Sequence, residues 1–134
     1  LKVVLITPNT GRVERIESEA AWPPLGLLYI ATVLRDAGHE VRVINNSRAQ
    51  LPLKALLKRI KRENPQVVGI SALTPTFRQG IKFARAIKEE LPDVKIVFGN
   101  YHPTFTYDRI LETYPNEVDY VVLGDGEQTF LELV

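Results

Sequence analysis

The sequence predicts an α/β fold: a five-stranded parallel sheet of order 2-1-3-4-5 with helices on both faces. Three observations carry this. Short apolar runs such as "LKVVLIT", "VVGIS" and "VKIVFG" recur along the chain. They are nearly continuous in Val, Ile and Leu, as strands covered on both faces require. The segments between them repeat apolar residues at helical spacing, and parallel strands joined by helical crossovers wind right-handed.

Taken in order, Leu1 to Thr7 forms the first strand. From Leu25, "LGLLYIATVLRDAG" spaces Leu27, Ile30, Ala31 and Leu34 along one helical face, and Gly38 supplies a C-terminal stop. "HEVRVIN" is the second strand. "LPLKALLKRIKREN" turns Leu53, Leu56, Leu57 and Ile60 inward, and Pro65 is expected to stop it. "QVVGIS" is the third strand. The third helix runs from Phe77 to Leu91, with Phe77, Ile81, Ala84, Ile87 and Leu91 facing inward and Thr76 and Gln79 at capping-box spacing. "VKIVFG" is the fourth strand, a shorter helix covers Tyr107 to Tyr114, "DYVVLG" is the fifth strand, and Glu127 opens the last helix. This is a flavodoxin-like, Rossmann-like arrangement.

The chain has 134 residues, 45% of them hydrophobic, enough for a single well-buried core. A formal net charge of +1 gives no electrostatic case for nucleic acid or an anionic membrane. No apolar stretch is long enough to span a bilayer, and a cytoplasmic setting is expected. The absence of cysteine excludes disulfides, thiolate catalysis and cysteine-held metal clusters within these residues. With Leu1 at the front and Val134 inside an apolar helical run, the sequence reads as part of a longer protein.

In open parallel sheets, ligands bind beyond the carboxyl ends of the strands. The loops there are the least ordinary parts of the sequence. The first, "PNTGRVERIESEAAWPP", is far longer than the roughly 2–6 residues usual for such a connection. It is either a shaped functional segment or a surface flap pinned by Trp22. The third loop carries Ser71, Thr74 and Thr76. A cap for the next helix explains Thr76, but not Ser71, which stands where the strand leaves the core. In the fourth, "GNYHPTF", Gly99 allows a turn or a close approach and Asn100 tolerates positive φ. His102 precedes Pro103 and is expected to be extended; a turn histidine bonded to backbone is the favoured reading over metal ligation. In the fifth, "GDGEQTF", two glycines flank Asp125, and Glu127 complements the following helix dipole. This edge is rich in neutral hydrogen-bonding groups and poor in charge. That suits a large, flat, amide-decorated ligand better than a nucleoside triphosphate.

Several chemistries are excluded. No glycine-rich run ends in Lys-Ser/Thr, so there is no P-loop. "TPNTGR" stands where a dinucleotide fingerprint would follow the first strand. A phosphorelay receiver needs acidic residues where Thr7, Pro8 and Ser71 stand. With His39 and His102 the only histidines, no nucleophile–base–acid set is visible.

"WPPLGLLYIA", "GISALTPTF", "GNYHPTF" and "YVVLGDGEQTFLEL" resemble, in order, the motifs of the cobalamin-binding domain of cobalamin-dependent radical S-adenosylmethionine enzymes. The resemblance covers nearly the whole chain. It implies a cobalamin on the carboxyl edge, with its nucleotide tail in a slot beside the third and fourth strands. Ser71 and Leu73 match a Ser-x-Leu pair, with Ala72 between them and Ser71 bonding the tail. Thr74 and Thr76 would reach corrin amides or the nucleotide. Gly99 matches the first of two paired glycines; the second is Asn100 here. Tyr101, His102 and Pro103 would form the rim, together with Pro8, Asn9, Pro24 and Leu25 from the first loop and its ends. Gly124, Gly126, Glu127 and Thr129 match a Gly-x-Gly-Glu-x-Thr-Phe segment over the nucleotide.

Many such domains carry Asp-x-His-x-x-Gly after the first strand, with its histidine on cobalt. The corresponding loop here has no histidine. The resemblance therefore implies cobalamin bound base-off, with no histidine from that motif and no metal site on protein side chains. S-adenosylmethionine and a 4Fe-4S cluster are expected on a radical S-adenosylmethionine domain following Val134. Methylation of an unactivated carbon is the expected reaction. A flavodoxin-like domain for a flavin or nucleotide, and a non-catalytic interaction domain, are the other readings.

Overall fold

A computed structural model of the chain describes residues 1–8, 25–46, 51–73, 76–124 and 126–134, with the backbone alone for 101–105. Strands and helices alternate: β1 (Lys2–Thr7), α1 (Leu25–Asp36), β2 (Glu40–Asn45), α2 (Leu53–Glu63), β3 (Val67–Ser71), α3 (Phe77–Glu90), β4 (Lys95–Gly99), α4 (Tyr101–Thr113), β5 (Tyr120–Val121) and α5 (Glu127–Leu133). The strands form one parallel sheet of order β2-β1-β3-β4-β5, as the sequence predicts.

Side-chain alternation divides the core into two layers. Val4, Ile6, Val68, Ile70, Ile96 and Phe98 face α2, α3 and α4, where they meet Leu56, Ile60, Ile81, Phe83, Ile87 and Ile110. Val3, Leu5, Val67 and Val97 face α1 and α5, where they meet Leu27, Ala31, Leu34 and Phe130. Gly80 lets α3 lie close on the first layer, since a Cβ there would stand 3.0 Å from the Phe98 ring.

Some local expectations are corrected. α2 is stopped by Asn64, not Pro65: Asn64 adopts φ 48° and its N–H donates to the carbonyls of Ile60 and Lys61. Leu53 begins that helix half exposed rather than turned inward. Thr76 stands at the α3 N-cap, yet its side chain makes no cap bond. Instead its Oγ1 accepts from Leu73 N–H at 3.0 Å and reaches Leu73 O at 3.2 Å, closing the preceding turn. β5 has two residues rather than the six of "DYVVLG", because past Val122 N–H, which donates to Phe98 O, the chain leaves β4. The helix expected from Tyr107 is present as the second half of α4, and an additional helical segment from Tyr101 precedes it across a kink at Thr106 (φ −130°, ψ 18°). His102 is therefore helical, not extended. Pro103 falls in the first turn, where a missing N–H breaks no helical bond.

At the amino edge of the sheet, Lys2, Arg42 and Glu40 surround the α2 terminus. Lys2 Nζ lies 3.2 Å from Glu63 and 3.6 Å from Glu40, and Arg42 Nε lies 3.6 Å from Glu63. The hydrogen bond from Lys2 is the main cause that lowers the Glu63 carboxyl below its ordinary value of 4.5, with Arg42 adding to it. A carboxyl depressed in the folded state contributes stability above its unfolded pKa and loses it as pH falls through the folded one. Glu63→Gln is thus expected to lower the melting temperature at neutral pH. It should also flatten the decline in stability as pH falls below the ordinary carboxyl value of 4.5, relative to the parent, in paired melts over the acid range.

Candidate functional site

A cleft of about 520 Å³ opens at the carboxyl edge, between the sheet and the α1/α5 pair. Its floor is small. β3 contributes Gly69 and Ser71, and β4 contributes Val97 and Gly99, the residues whose parity points toward α1 and α5. The walls are apolar: Gly26, Leu27 and Ile30 from α1, and Phe130 from α5. Asn100, Gly124, Gly126 and Glu127 stand around the mouth.

The two floor glycines differ physically. At Gly69, a Cβ would stand 2.7 Å from Leu5 Cδ2 and 3.2 Å from the Phe130 ring, so those side chains close the inner end over bare backbone. At Gly99, the nearest atom to a Cβ is Val122 O at 3.8 Å, an ordinary van der Waals contact, so a Cβ fits there. The turn after β4 is made not by Gly99 but by Asn100, at φ 85°, and Gly124 takes φ 64° at the opposite lip. The two strand ends are held side by side. Ser71 pairs with Gly99 in the ladder, and Ala72 N–H donates to Gly99 O at 3.0 Å. Across that pair Asn100 Nδ2 donates to Ser71 Oγ at 2.8 Å.

The residues singled out in the sequence separate into five groups. Ser71, Gly99, Asn100, Gly124, Gly126 and Glu127 converge on the cleft. Ala72 is buried in the opposite core layer, Thr76 is buried under its turn, and Pro8 is buried beyond β1. Leu25, Leu73 and Thr129 are exposed outside the cleft lining. Tyr101, His102 and Pro103 contribute the first turn of α4 directly after Asn100. Asn9, Pro24 and Thr74 lie outside the described residues, as does Trp22 with the rest of the first loop. The apolar walls and Gly69 were not among the predicted site residues. The one available signal was Gly69 itself, an isolated glycine inside the strand "VVGIS", which marks a close approach. Among the described residues no group of His, Asp or Glu is arranged to hold a metal ion, and no helix is long and apolar enough to cross a membrane.

A parallel sheet of order 2-1-3-4-5 with an apolar cleft at the carboxyl ends of β3 and β4 is an arrangement in which open α/β sheets hold small molecules. The chain belongs to the B12-binding domain family, which it matches over residues 11–134. It is 34% identical over 134 residues to an uncharacterized methyltransferase of Pyrococcus horikoshii, PH0819, covering 100% of this chain and 29% of that protein. It is 32% identical over 134 residues to an anaerobic magnesium-protoporphyrin IX monomethyl ester cyclase of Synechocystis, covering 98% of this chain and 26% of that one. The chain thus spans under a third of either relative. Among solved structures, the cobalamin-dependent S-adenosylmethionine radical enzyme OxsB with aqua-cobalamin and S-adenosylmethionine bound superposes with a TM-score of 0.79. The identity is 20%, over 98% of this chain and 18% of OxsB, a likeness of fold.

The glycine geometry separates folding from space-keeping. Gly69→Val is expected to lower the unfolding free energy by about 1–3 kcal/mol through overpacking against Leu5 and Phe130. Gly99→Ala should stay within about 0.5 kcal/mol of the parent. Urea titrations of both variants check the contrast.

Proposed function

We propose that this chain binds cobalamin as the cofactor module of a radical S-adenosylmethionine enzyme, with the nucleotide tail in the α1/α5 cleft and its base displaced from cobalt. The observation that carries this is the cleft itself. It is narrow and apolar within, floored by small residues, and ends in neutral hydrogen-bonding groups at the sheet edge. Its volume lies in the range of small-molecule sites. A flat heteroaromatic ring on a sugar fits such a slot, and the macrocycle would rest outside on the rim.

In this reading Ser71 hydrogen-bonds the buried base, Gly99 leaves room for it, and Ile30, Val97 and Phe130 exclude water from its faces. Leu73 and the first turn of α4, with Tyr101, His102 and Pro103, form the shelf beneath the corrin. Pro8, Asn9, Pro24, Leu25 and Thr74 complete the rim. Thr76 acts through the Leu73 turn that its hydroxyl closes. Gly124, Gly126, Glu127 and Thr129 border the nucleotide at the α5 end. The absence of histidine from the first loop supports a cobalt without a histidine ligand from that segment. When bound, cobalamin supplies one-carbon transfer chemistry at cobalt, while the protein binds and orients it.

S-adenosylmethionine and the 4Fe-4S cluster are assigned to a domain following Val134, since these 134 residues contain no cysteine. The reaction proposed for the whole protein is methylation of an unactivated carbon, supported by the methyltransferase relative. Oxidative ring formation is the second reading, favoured by the cyclase relative. A flavin mononucleotide fits less well. Among the described residues Glu127 is the one charged member of the cleft lining, so a terminal phosphate dianion would meet a carboxylate and no cation among them.

The test is to mix the chain with hydroxocobalamin, desalt it and record the visible spectrum. Retained cobalamin with a base-off spectrum at neutral pH is expected. Ser71→Tyr and Gly99→Leu, which fill the mouth, should weaken retention about tenfold or more. No retention by the parent, or equal retention by Ser71→Tyr, would sink the placement.

A further inference from the structure

Asn100 directly follows Gly99 at the carboxyl end of β4. Its φ of 85° is one that glycine serves equally well, so the turn does not account for the side chain. What the side chain does is donate from Nδ2 to Ser71 Oγ at 2.8 Å. An amide nitrogen has no lone pair to offer, so in this contact the Ser71 oxygen accepts. Among the described residues it is the one hydrogen bond of the Ser71 side chain. The Ser71 proton is thereby turned away from Asn100 and left for a third group. Both residues line the cleft, and the β3–β4 ladder holds them in register.

We infer that Asn100 is a positioning residue that fixes the polarity of the Ser71 hydroxyl, so that the cleft selects a ligand tail presenting a hydrogen-bond acceptor inside it. This rests on the reading that a cobalamin tail fills the cleft. A heterocyclic base released from cobalt has such an acceptor, its ring nitrogen. Asn100 therefore favours the base-displaced form by orienting a donor toward the lone pair that would otherwise bind the metal. A glycine at this position would leave the hydroxyl free to rotate.

Two variants separate this role from the shape of the turn. Asn100→Gly keeps the backbone unstrained and removes the amide. Asn100→Asp keeps the shape and reverses the polarity, because a carboxylate only accepts and would draw the Ser71 proton to itself. Affinities are read by absorbance titration with three ligands: cobalamin, cobinamide, which lacks the tail, and a cobamide whose tail ends in a phenolic ring without nitrogen. Asn100→Gly is expected to bind cobalamin about threefold more weakly and Asn100→Asp about tenfold more weakly. Neither should change affinity for cobinamide or for the phenolic cobamide. Cobalamin bound by Asn100→Asp as tightly as by the parent overturns the polarity assignment. So does equal weakening with the phenolic cobamide. Cobinamide held by the parent as tightly as cobalamin is a different failure: it removes the tail from the cleft and with it the underlying reading.

Discussion

Unequal filling of the two sheet faces is the constraint on which this structure depends. β3 and β4 turn Val68, Ile70, Ile96 and Phe98 toward three helices, and that layer closes. Among the described residues, the same strands turn Gly69, Ser71, Val97 and Gly99 toward two helices, α1 and α5. Where side chains are missing, helices cannot fill the gap without losing their own contacts, and a cleft persists. Glycine has opposite consequences on the two faces. Gly80 draws α3 down onto Phe98, whereas at Gly99 a Cβ would fit beside Val122.

The parallel topology then decides where the cleft opens. All the strands end on one edge, so the turns after β3, β4 and β5 meet there without any motif being contiguous in sequence. Among the described residues the ion pairs lie away from the cleft. The Lys2–Glu63–Arg42 cluster lies at the amino edge. Another buttress, Asp119, accepts from Lys88 Nζ at 2.7 Å and from Ile96 N–H at 2.8 Å at the start of β4. Among the described residues, ion pairs steady the amino edge, while neutral donors and bare backbone, with Glu127, line the cleft at the carboxyl edge. Under the proposed function, a macrocycle rimmed by amides would rest on this surface, where fixed charges would have to be desolvated without partners.

Within that surface, one polar contact has a direction. A hydroxyl alone is ambivalent, able to donate or accept. Fixing it with a neighbouring amide converts ambivalence into selectivity without adding charge. The bond forms only because two parallel strand ends are level and the residue after the second one turns through positive φ.

The sequence by itself determined the alternation of strands and helices, the sheet order and the edge on which a site would form, because hydrophobic period and crossover handedness are local or nearly local properties. It also carried the polar half of the site: Ser71, Gly99, Asn100, Gly124, Gly126 and Glu127 were all readable as oddities at strand ends. Helix stops and short strands were less readable. Asn64 overrode Pro65 because a left-handed cap binds two carbonyls one residue earlier, and β5 shortened because pairing depends on β4 rather than on its own apolar run. Only the tertiary structure decided the apolar half. Ile30, Val97 and Phe130 look like any core residues until α1 and α5 meet the sheet and fail to close over Gly99, and whether a face is full or hollow is a property of packing between distant segments. The direction of the Ser71–Asn100 bond belongs to the same class, since it joins residues 29 apart that only the ladder brings together.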